Sequence, residues 1–520
     1  MSASREKKLR QDQMVSGYVD PKTERELEKK KAEKRSNILY SVIGVLFVLV
    51  VAVCLIWRSN IVSRSATALT IDGEKYNAAE VSFYYQNVYR GFLQNNSYFI
   101  SYLGLDTNSS LKNQTVNATA ASMMGVEEGS SWHDYMMDNT IKQMTMIQRG
   151  LKQAQEEGYQ FPASVQEQYE DSMASLKTSA ESTGMSVKAY LQRNLGAIMT
   201  EKIYSQQVLR MLQYQAYAQD YSDSLTYTDA ELEAAYQADP KTYDKASWEY
   251  VVVSGNADST TDADGNAVEA TDEEKEAAME AAKSAAEEIL AAYNSGKSLE
   301  SVAGSYEKAT YYSADDASYY DGTVGNWLFD DARKSGDTEI LEVGSSYYVA
   351  LFHSRSREEY KTVDIRHILI TPEAGTKAEG DEGYEDEQTQ LKAAARTKAE
   401  EILAQWQAGD ATEDSFAQLA MENSADGSKY DGGLYTRVTK GWAVEEFNDW
   451  CFDASRKAGD TGIVDTTYGS HVMYFVDYDL PAWAASVTSD LQEKAASEWS
   501  SALSESADVK QSDFGMKFVG

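Results

Sequence analysis

One pattern occurs twice in this chain. Asn326-Trp327-Leu328-Phe329-Asp330, followed by Arg333-Lys334 and Gly336-Asp337-Thr338, returns 123 residues later as Asp449-Trp450-Cys451-Phe452-Asp453, Arg456-Lys457 and Gly459-Asp460-Thr461. Ahead of it, Ala286-Glu287-Glu288-Ile289-Leu290 returns as Ala399-Glu400-Glu401-Ile402-Leu403. The same strand-helix-strand order repeated in this way marks two copies of one folding unit, over residues 246–356 and 360–478. The pairing also explains Cys451. Its counterpart is Leu328, so the position asks for an apolar side chain, and a free cysteine behaves as a small hydrophobe.

Only the second copy carries a chemical signature. It opens with Val363-Asp364-Ile365-Arg366-His367-Ile368-Leu369-Ile370, an apolar strand interrupted by one histidine. It closes with Tyr468-Gly469-Ser470-His471-Val472-Met473-Tyr474-Phe475, a second such strand with a second histidine. Between them lie Phe416-Ala417-Gln418-Leu419-Ala420, Asn423-Ser424-Ala425-Asp426, the turn Asp431-Gly432-Gly433-Leu434, and Phe447 ahead of Gly459-Asp460. This order resembles the parvulin family of peptidyl-prolyl isomerases. The resemblance implies that His367 and His471 are paired active-site histidines, that Asp426 stands where parvulins place an Asp or Cys, and that Tyr468 lines the same cavity. One position departs from the family, which usually has a Met four residues before the pocket Phe. Here that residue is Ala443, preceded by Trp442; either Trp442 fills the gap or the pocket is shallower.

The residue types suit the chemistry. Rotating an X-Pro bond crosses a barrier of roughly 20 kcal/mol and breaks no covalent bond. Such a catalyst calls for no nucleophile, metal or cofactor. It needs an apolar pocket for the pyrrolidine ring and polar groups that favour the twisted amide over the planar one. A buried histidine pair with a nearby carboxylate supplies the second, and Leu434, Phe447 and neighbouring aromatics such as Trp442 supply the first. The first copy has Tyr250 where His367 stands and Tyr348 where His471 stands, with no counterpart of the Asp426 or Gly432-Gly433-Leu434 segments. It keeps the framework without the site, an arrangement that resembles SurA-type chaperones.

The remainder of the chain sets the context. Residues 1–37 carry eleven Lys/Arg against seven Asp/Glu, and Ile38 to Trp57 then runs for twenty residues without a charge. At about 1.5 Å per residue that helix spans roughly 30 Å, the thickness of a bilayer's hydrocarbon core. With the basic flank N-terminal, the expected topology is a cytoplasmic tail at 1–37, a transmembrane anchor at 38–57, and everything later outside. Val53 before Cys54 argues against a lipoprotein cleavage site.

After a short linker, Ala68 to Tyr76 with Asp72-Gly73 reads as a tight hairpin, and Asn77 with Glu80 as a capping box. Residues 104–130 read as a Ser/Thr/Asn/Gly-rich loop. Tyr135 to Tyr217 is helical in pattern, and Thr228 with Glu231 starts a short helix that Asp239-Pro240 ends. A strand-turn-helix of this kind resembles the SurA/PrsA-type chaperone domain, here 67–240. In such proteins the segment after the isomerase returns to complete that domain, which gives 481–520 the same part and makes the helix from Trp483 to Leu503 its closing element.

Net charge is −35, which argues against nucleic-acid binding, since that needs a basic face. Two cysteines, Cys54 and Cys451, form no disulfide framework. His133 and His353 have no partner motif. Asp262-Ala263-Asp264-Gly265 hints at a calcium loop, but Thr260 and Thr271 hold positions that need carboxylates.

The expected protein is α+β and multidomain: an N-terminal transmembrane helix, a helical chaperone domain and two tandem parvulin-like domains. By resemblance it is a foldase on the outer face of a bacterial, Gram-positive membrane, acting on unfolded or newly exported polypeptides with X-Pro bonds. The alternative is a non-catalytic holdase or surface scaffold that uses parvulin folds as spacers.

Overall fold

A computed structural model describes residues 3–15, 21–58, 60–258, 260–261 and 267–519. The calcium-loop-like segment at 262–265 lies outside the described residues. The chain divides into two compact units: Met1–Phe161 with Tyr169–Tyr217 and Ser500–Gly520, and Pro162–Gln168 with Ala218–Trp499.

In the first unit, strands Thr67–Ile71 and Glu74–Asn77 form a hairpin, and Val509–Gln511 pairs antiparallel with the other edge of Thr67–Ile71. The hairpin turn holds Asp72 and Gly73 at φ 47° and 87°, the left-handed pair whose twist matches that of two-residue hairpins. Asp72 then serves as a clasp, pairing with Arg149 at 2.7 Å and accepting the backbone N–H of Asp508 at 3.0 Å.

Helix Ala78–Asn95 starts on a reciprocal cap. The Glu80 N–H donates to Asn77 Oδ1 at 3.1 Å, and the Asn77 N–H donates to Glu80 Oε2 at 2.8 Å. Its apolar side packs with helix Trp132–Glu157 in a core that includes Tyr84, Trp132, Met136, Met144, Leu191 and Val519. Residues 104–130, read above as a loop, contain the short helix Ala118–Met124. Asn117 begins it, accepting the Ala120 N–H at 2.8 Å, so polar composition there conceals a cap.

Among the described residues no helix is long and apolar enough to cross a membrane. The expected span 38–57 lies within helix Pro21–Arg58 and is described only in part; its large described apolar side chains, Phe47, Val48 and Leu55 among them, are exposed.

The second unit is built on two four-stranded antiparallel sheets. One comprises Lys245–Ser254, Ala309–Ser318, Thr338–Val343 and Ser346–Ser356; the other Lys361–Ile370, Leu434–Val438, Thr461–Thr466 and Gly469–Pro481. In both, the spatial order is second, first, fourth, third by chain position. Each sheet packs a longer helix on one face and a short one on the other. Helix Asp272–Asn294 and Thr323–Leu328 do so in the first sheet, Tyr384–Ala408 and Glu445–Cys451 in the second.

Small features recur as well. Gly336 N–H donates to Phe352 O and Gly459 N–H to Phe475 O, both at 2.8 Å. Arg333 stacks over Trp327 at 4.9 Å and Arg456 over Trp450 at 4.3 Å. Leu328 and Cys451 are both fully buried, and burial pushes the Cys451 thiol up to about 12.

The segment after the second sheet divides its contacts. In helix Ala482–Ser504, Trp483 and Val487 bury against Leu232 and Tyr236 of helix Asp229–Ala238. Arg357 lies between the rings of Trp483 and Tyr236, 4.1 and 5.0 Å away. Val509–Gln511 belongs instead to the first unit's sheet.

Candidate active site

The two central strands of the second sheet fix its histidines. His367 stands opposite Met473 and His471 opposite Leu369. Side chains at such positions project from the same face, because strand residues alternate sides. The rings stack at 5.3 Å between centroids and 19° between planes, with the two Nδ1 atoms 3.1 Å apart. Both side chains are buried, at 3% and 5% exposure. Phe447, from helix Glu445–Cys451, sets its ring edge-on to both, at 5.4 and 5.3 Å. In the first sheet the same register positions hold tyrosines: Tyr250 opposes Ala350 and Tyr348 opposes Val252, with ring centroids 5.3 Å apart.

Asp426 caps the 3-10 turn Gly427–Asp431 and turns its carboxylate to the pair. Its Oδ1 lies 3.3 Å from His367 Nε2. The same oxygen accepts the Ser428 hydroxyl at 2.6 Å, the Ser428 N–H at 2.8 Å and the Tyr435 hydroxyl at 2.9 Å. The hydrogen bond from His367, with those from Ser428, holds the Asp426 carboxyl well below the usual carboxylate range. On the far side, His471 Nε2 lies 2.9 Å from Thr466 Oγ1, which also accepts the Tyr468 N–H at 3.1 Å. Burial, then the neighbouring His367, lowers His471 to about 4, so it is neutral at physiological pH.

One proton arrangement links the Thr466, His471, His367 and Asp426 contacts in a single chain. Thr466 donates to His471 Nε2, His471 Nδ1–H donates to His367 Nδ1, and His367 Nε2–H donates to Asp426. In the reverse arrangement His367 Nε2 would turn a bare nitrogen to Asp426 and would have to take its hydrogen bond from the Ser428 hydroxyl, 3.3 Å away.

The glycine turn sets this distance. Gly433 has φ +76° and its carbonyl accepts the His367 N–H at 2.9 Å. A Cβ there would collide with the His367 carbonyl oxygen, so the close approach of the two strands depends on glycine.

Of the residues singled out from sequence, His367, His471, Asp426 and Phe447 are brought together. Trp442 sits at the rim, half exposed, 4.7 Å from the Tyr435 ring and 6.3 Å from Phe447. Leu434 does not line the site. It pairs with Arg366 and therefore shares the face opposite His367; the neighbouring Tyr435 takes the expected place, 5.5 Å from the His367 ring. Tyr468 is 64% exposed and meets the network through its backbone N–H. Tyr435, Ser428 and Thr466 were not foreseen. Ser428 had a legible signal, since Asp-x-Ser is an Asx-turn pattern. Thr466 and Tyr435 depend on strand register.

Among the described residues, no group of three or more His, Cys, Asp or Glu side chains is placed to hold a metal ion. Residues 349–478 match the family Rotamase_3, the PPIC-type PPIase domain. No curated protein matches the chain. Among solved structures, the PPIase domain of TBPAR42 is 26% identical over 22% of this chain and 99% of its own, with a TM-score of 0.17. PrsA from Bacillus subtilis is 12% identical over 72% of this chain and 88% of its own, with a TM-score of 0.27. PrsA from Bacillus anthracis is 21% identical over 29% of this chain and 59% of its own, with a TM-score of 0.18.

Proposed function

We propose that this chain, whose residues 349–478 form a PPIC-type peptidyl-prolyl isomerase domain, is a membrane-anchored foldase that twists X-Pro bonds at the His367/His471 pair. The observation that carries the site assignment is the buried 3.1 Å contact between the two histidines, flanked by Phe447 and by the Asp426 carboxylate. Twisting an X-Pro bond removes amide resonance, so charge leaves the carbonyl oxygen and the nitrogen gains a lone pair. The planar amide is the more polar form. A water-poor pocket therefore favours the twisted one, and a neutral hydrogen-bonding pair follows the change without leaving a charge exposed. Phe447 and Trp442 form the apolar contact for the proline ring. Neutral His471 and anionic Asp426 hold His367 in one orientation.

In this reading 38–57 anchors the chain with its bulk outside, and the helical unit and first sheet hold unfolded exported polypeptide. The first sheet is then a parvulin-like unit with tyrosines in place of the histidines. A proline-isomerisation assay on the full chain with an Ala-Pro peptide tests the assignment. We expect catalysis by the wild type and at least a tenfold loss in His367→Ala with unchanged circular dichroism, since truncating a group that stabilises the transition state costs about 1.4 kcal/mol per tenfold. Undiminished rates in that variant would make the histidines core residues only.

A further inference from the structure

The ring that stands beside His367 is one that the family resemblance did not supply. Tyr435 lies in the second strand of its sheet, opposite Ile365. It makes three contacts at once: its hydroxyl to Asp426 Oδ1 at 2.9 Å, its ring to His367 at 5.5 Å, and its ring to Trp442 at 4.7 Å. With Ala443 two residues before Glu445 in place of a longer side chain, the wall that would otherwise be aliphatic is made by Tyr435 and Trp442.

We propose that Tyr435 is the positioning residue of the isomerase site, holding Asp426 against His367 through its hydroxyl and seating Trp442 on its ring. This rests on the assignment of the His367/His471 site made above. The hydroxyl matters because Asp426 Oδ1 lies 3.3 Å from His367 Nε2, a long contact that a small rotation of the carboxylate would break in favour of Ser428 Oγ, also 3.3 Å from that nitrogen. Ser428 restrains that oxygen from its own turn, two residues away. Tyr435 restrains it from across the strand, so the two together fix both position and direction. Fixing Asp426 fixes the Nε2 proton on His367 and, through the Nδ1–Nδ1 contact, the tautomer of His471. The groups facing the Tyr435 hydroxyl and ring are Asp426, Ser428, His367 and Trp442.

Tyr435→Phe keeps the ring and removes the hydroxyl. In the full chain, with an Ala-Pro peptide, we expect kcat to fall about tenfold with KM unchanged, in line with the loss of one hydrogen bond to a charged group. Trp442→Ala should instead raise KM. The ¹⁵N spectrum of His367 should pass from a proton fixed on Nε2 to one shared between the two ring nitrogens in Tyr435→Phe. In an Asp426→Ala background the Tyr435→Phe substitution should have no further effect on kcat, because the hydroxyl acts through that carboxylate. Wild-type kcat in Tyr435→Phe, an unaltered His367 spectrum, or an undiminished loss in the Asp426→Ala background would overturn the proposal. The same assay on His367→Ala separates the two levels. Loss there with none in Tyr435→Phe strikes only the role of Tyr435, whereas no loss in His367→Ala strikes the site itself.

Discussion

A histidine kept neutral by burial makes stability depend on acidity. His471 titrates at about 4 in the folded chain and near 6.5 when unfolded. Below about 6.5 the unfolded chain takes up a proton that the folded chain refuses. The contribution is therefore complete above roughly 6.5 and is lost as pH falls towards 4. Asp426, held low by His367, adds a separate loss that sets in as pH falls through the ordinary carboxylate range and grows below it. We expect the melting temperature to decline between pH 6.5 and 4, and to decline less in His471→Gln; equal slopes in the two proteins would contradict this. The two histidines were legible because each interrupts an apolar run, where a polar residue needs a reason; Asp426, which follows Asn423-Ser424-Ala425, was legible only through the family resemblance. Leu434 and Tyr435 were not separable in the same way. They are adjacent, both apolar enough for a pocket, and a shift of one residue in pairing exchanges their faces. Only the pairing of Leu434 with Arg366 decides between them.

An acidic stretch follows the His367 strand and runs into the start of helix Tyr384–Ala408. It holds Glu373, Glu379, Asp381 and Glu382 in the connecting loop and Glu385, Asp386 and Glu387 in the first turn of the helix, against the single Lys377. Part of that charge builds the loop. Glu387 accepts the Thr376 hydroxyl at 2.6 Å and the Lys377 N–H at 3.0 Å, and Lys377 Nζ donates to the Glu382 carbonyl at 2.8 Å. The one cation is thus engaged, and a phosphate, with up to about two negative charges, meets carboxylates rather than the Arg or Lys it requires. Among Ala-Pro, Ser-Pro and phospho-Ser-Pro peptides, the phosphorylated one should be turned over most slowly. Its disadvantage should shrink at high salt, where charges beyond about 3 Å are screened. Faster turnover of the phosphorylated peptide than of its unmodified twin would contradict this. At this scale the composition of the loop was plain in the sequence, whereas its internal hydrogen bonds, made between residues ten and eleven apart, were not.

For the molecule as a whole, the anchor reading makes a direct statement about access. Protease added to intact cells should degrade residues 59–520 and spare the tail at 1–37; a mature chain starting after Cys54 on N-terminal sequencing would replace the anchor with a cleaved signal. The strand pattern of the two sheets was partly legible. The repeated Trp-Phe-Asp and Gly-Asp-Thr patterns coincide with two sheets of equal strand order, because each copy must bury its own apolar strands. The destination of residues 509–511 was not, since a three-residue strand carries too little pattern to name its partner. That strand has a bearing on synthesis. Asp72 and the Asp508 N–H it accepts are separated by 436 residues, and Val509–Gln511 supplies one edge of a sheet whose other strands are made near the start. A ribosome adding about 5–20 residues per second needs roughly 20–90 seconds to span that interval. Throughout it, the hairpin at 67–77 waits with one edge unpaired, and the first unit to leave the ribosome is the last to close.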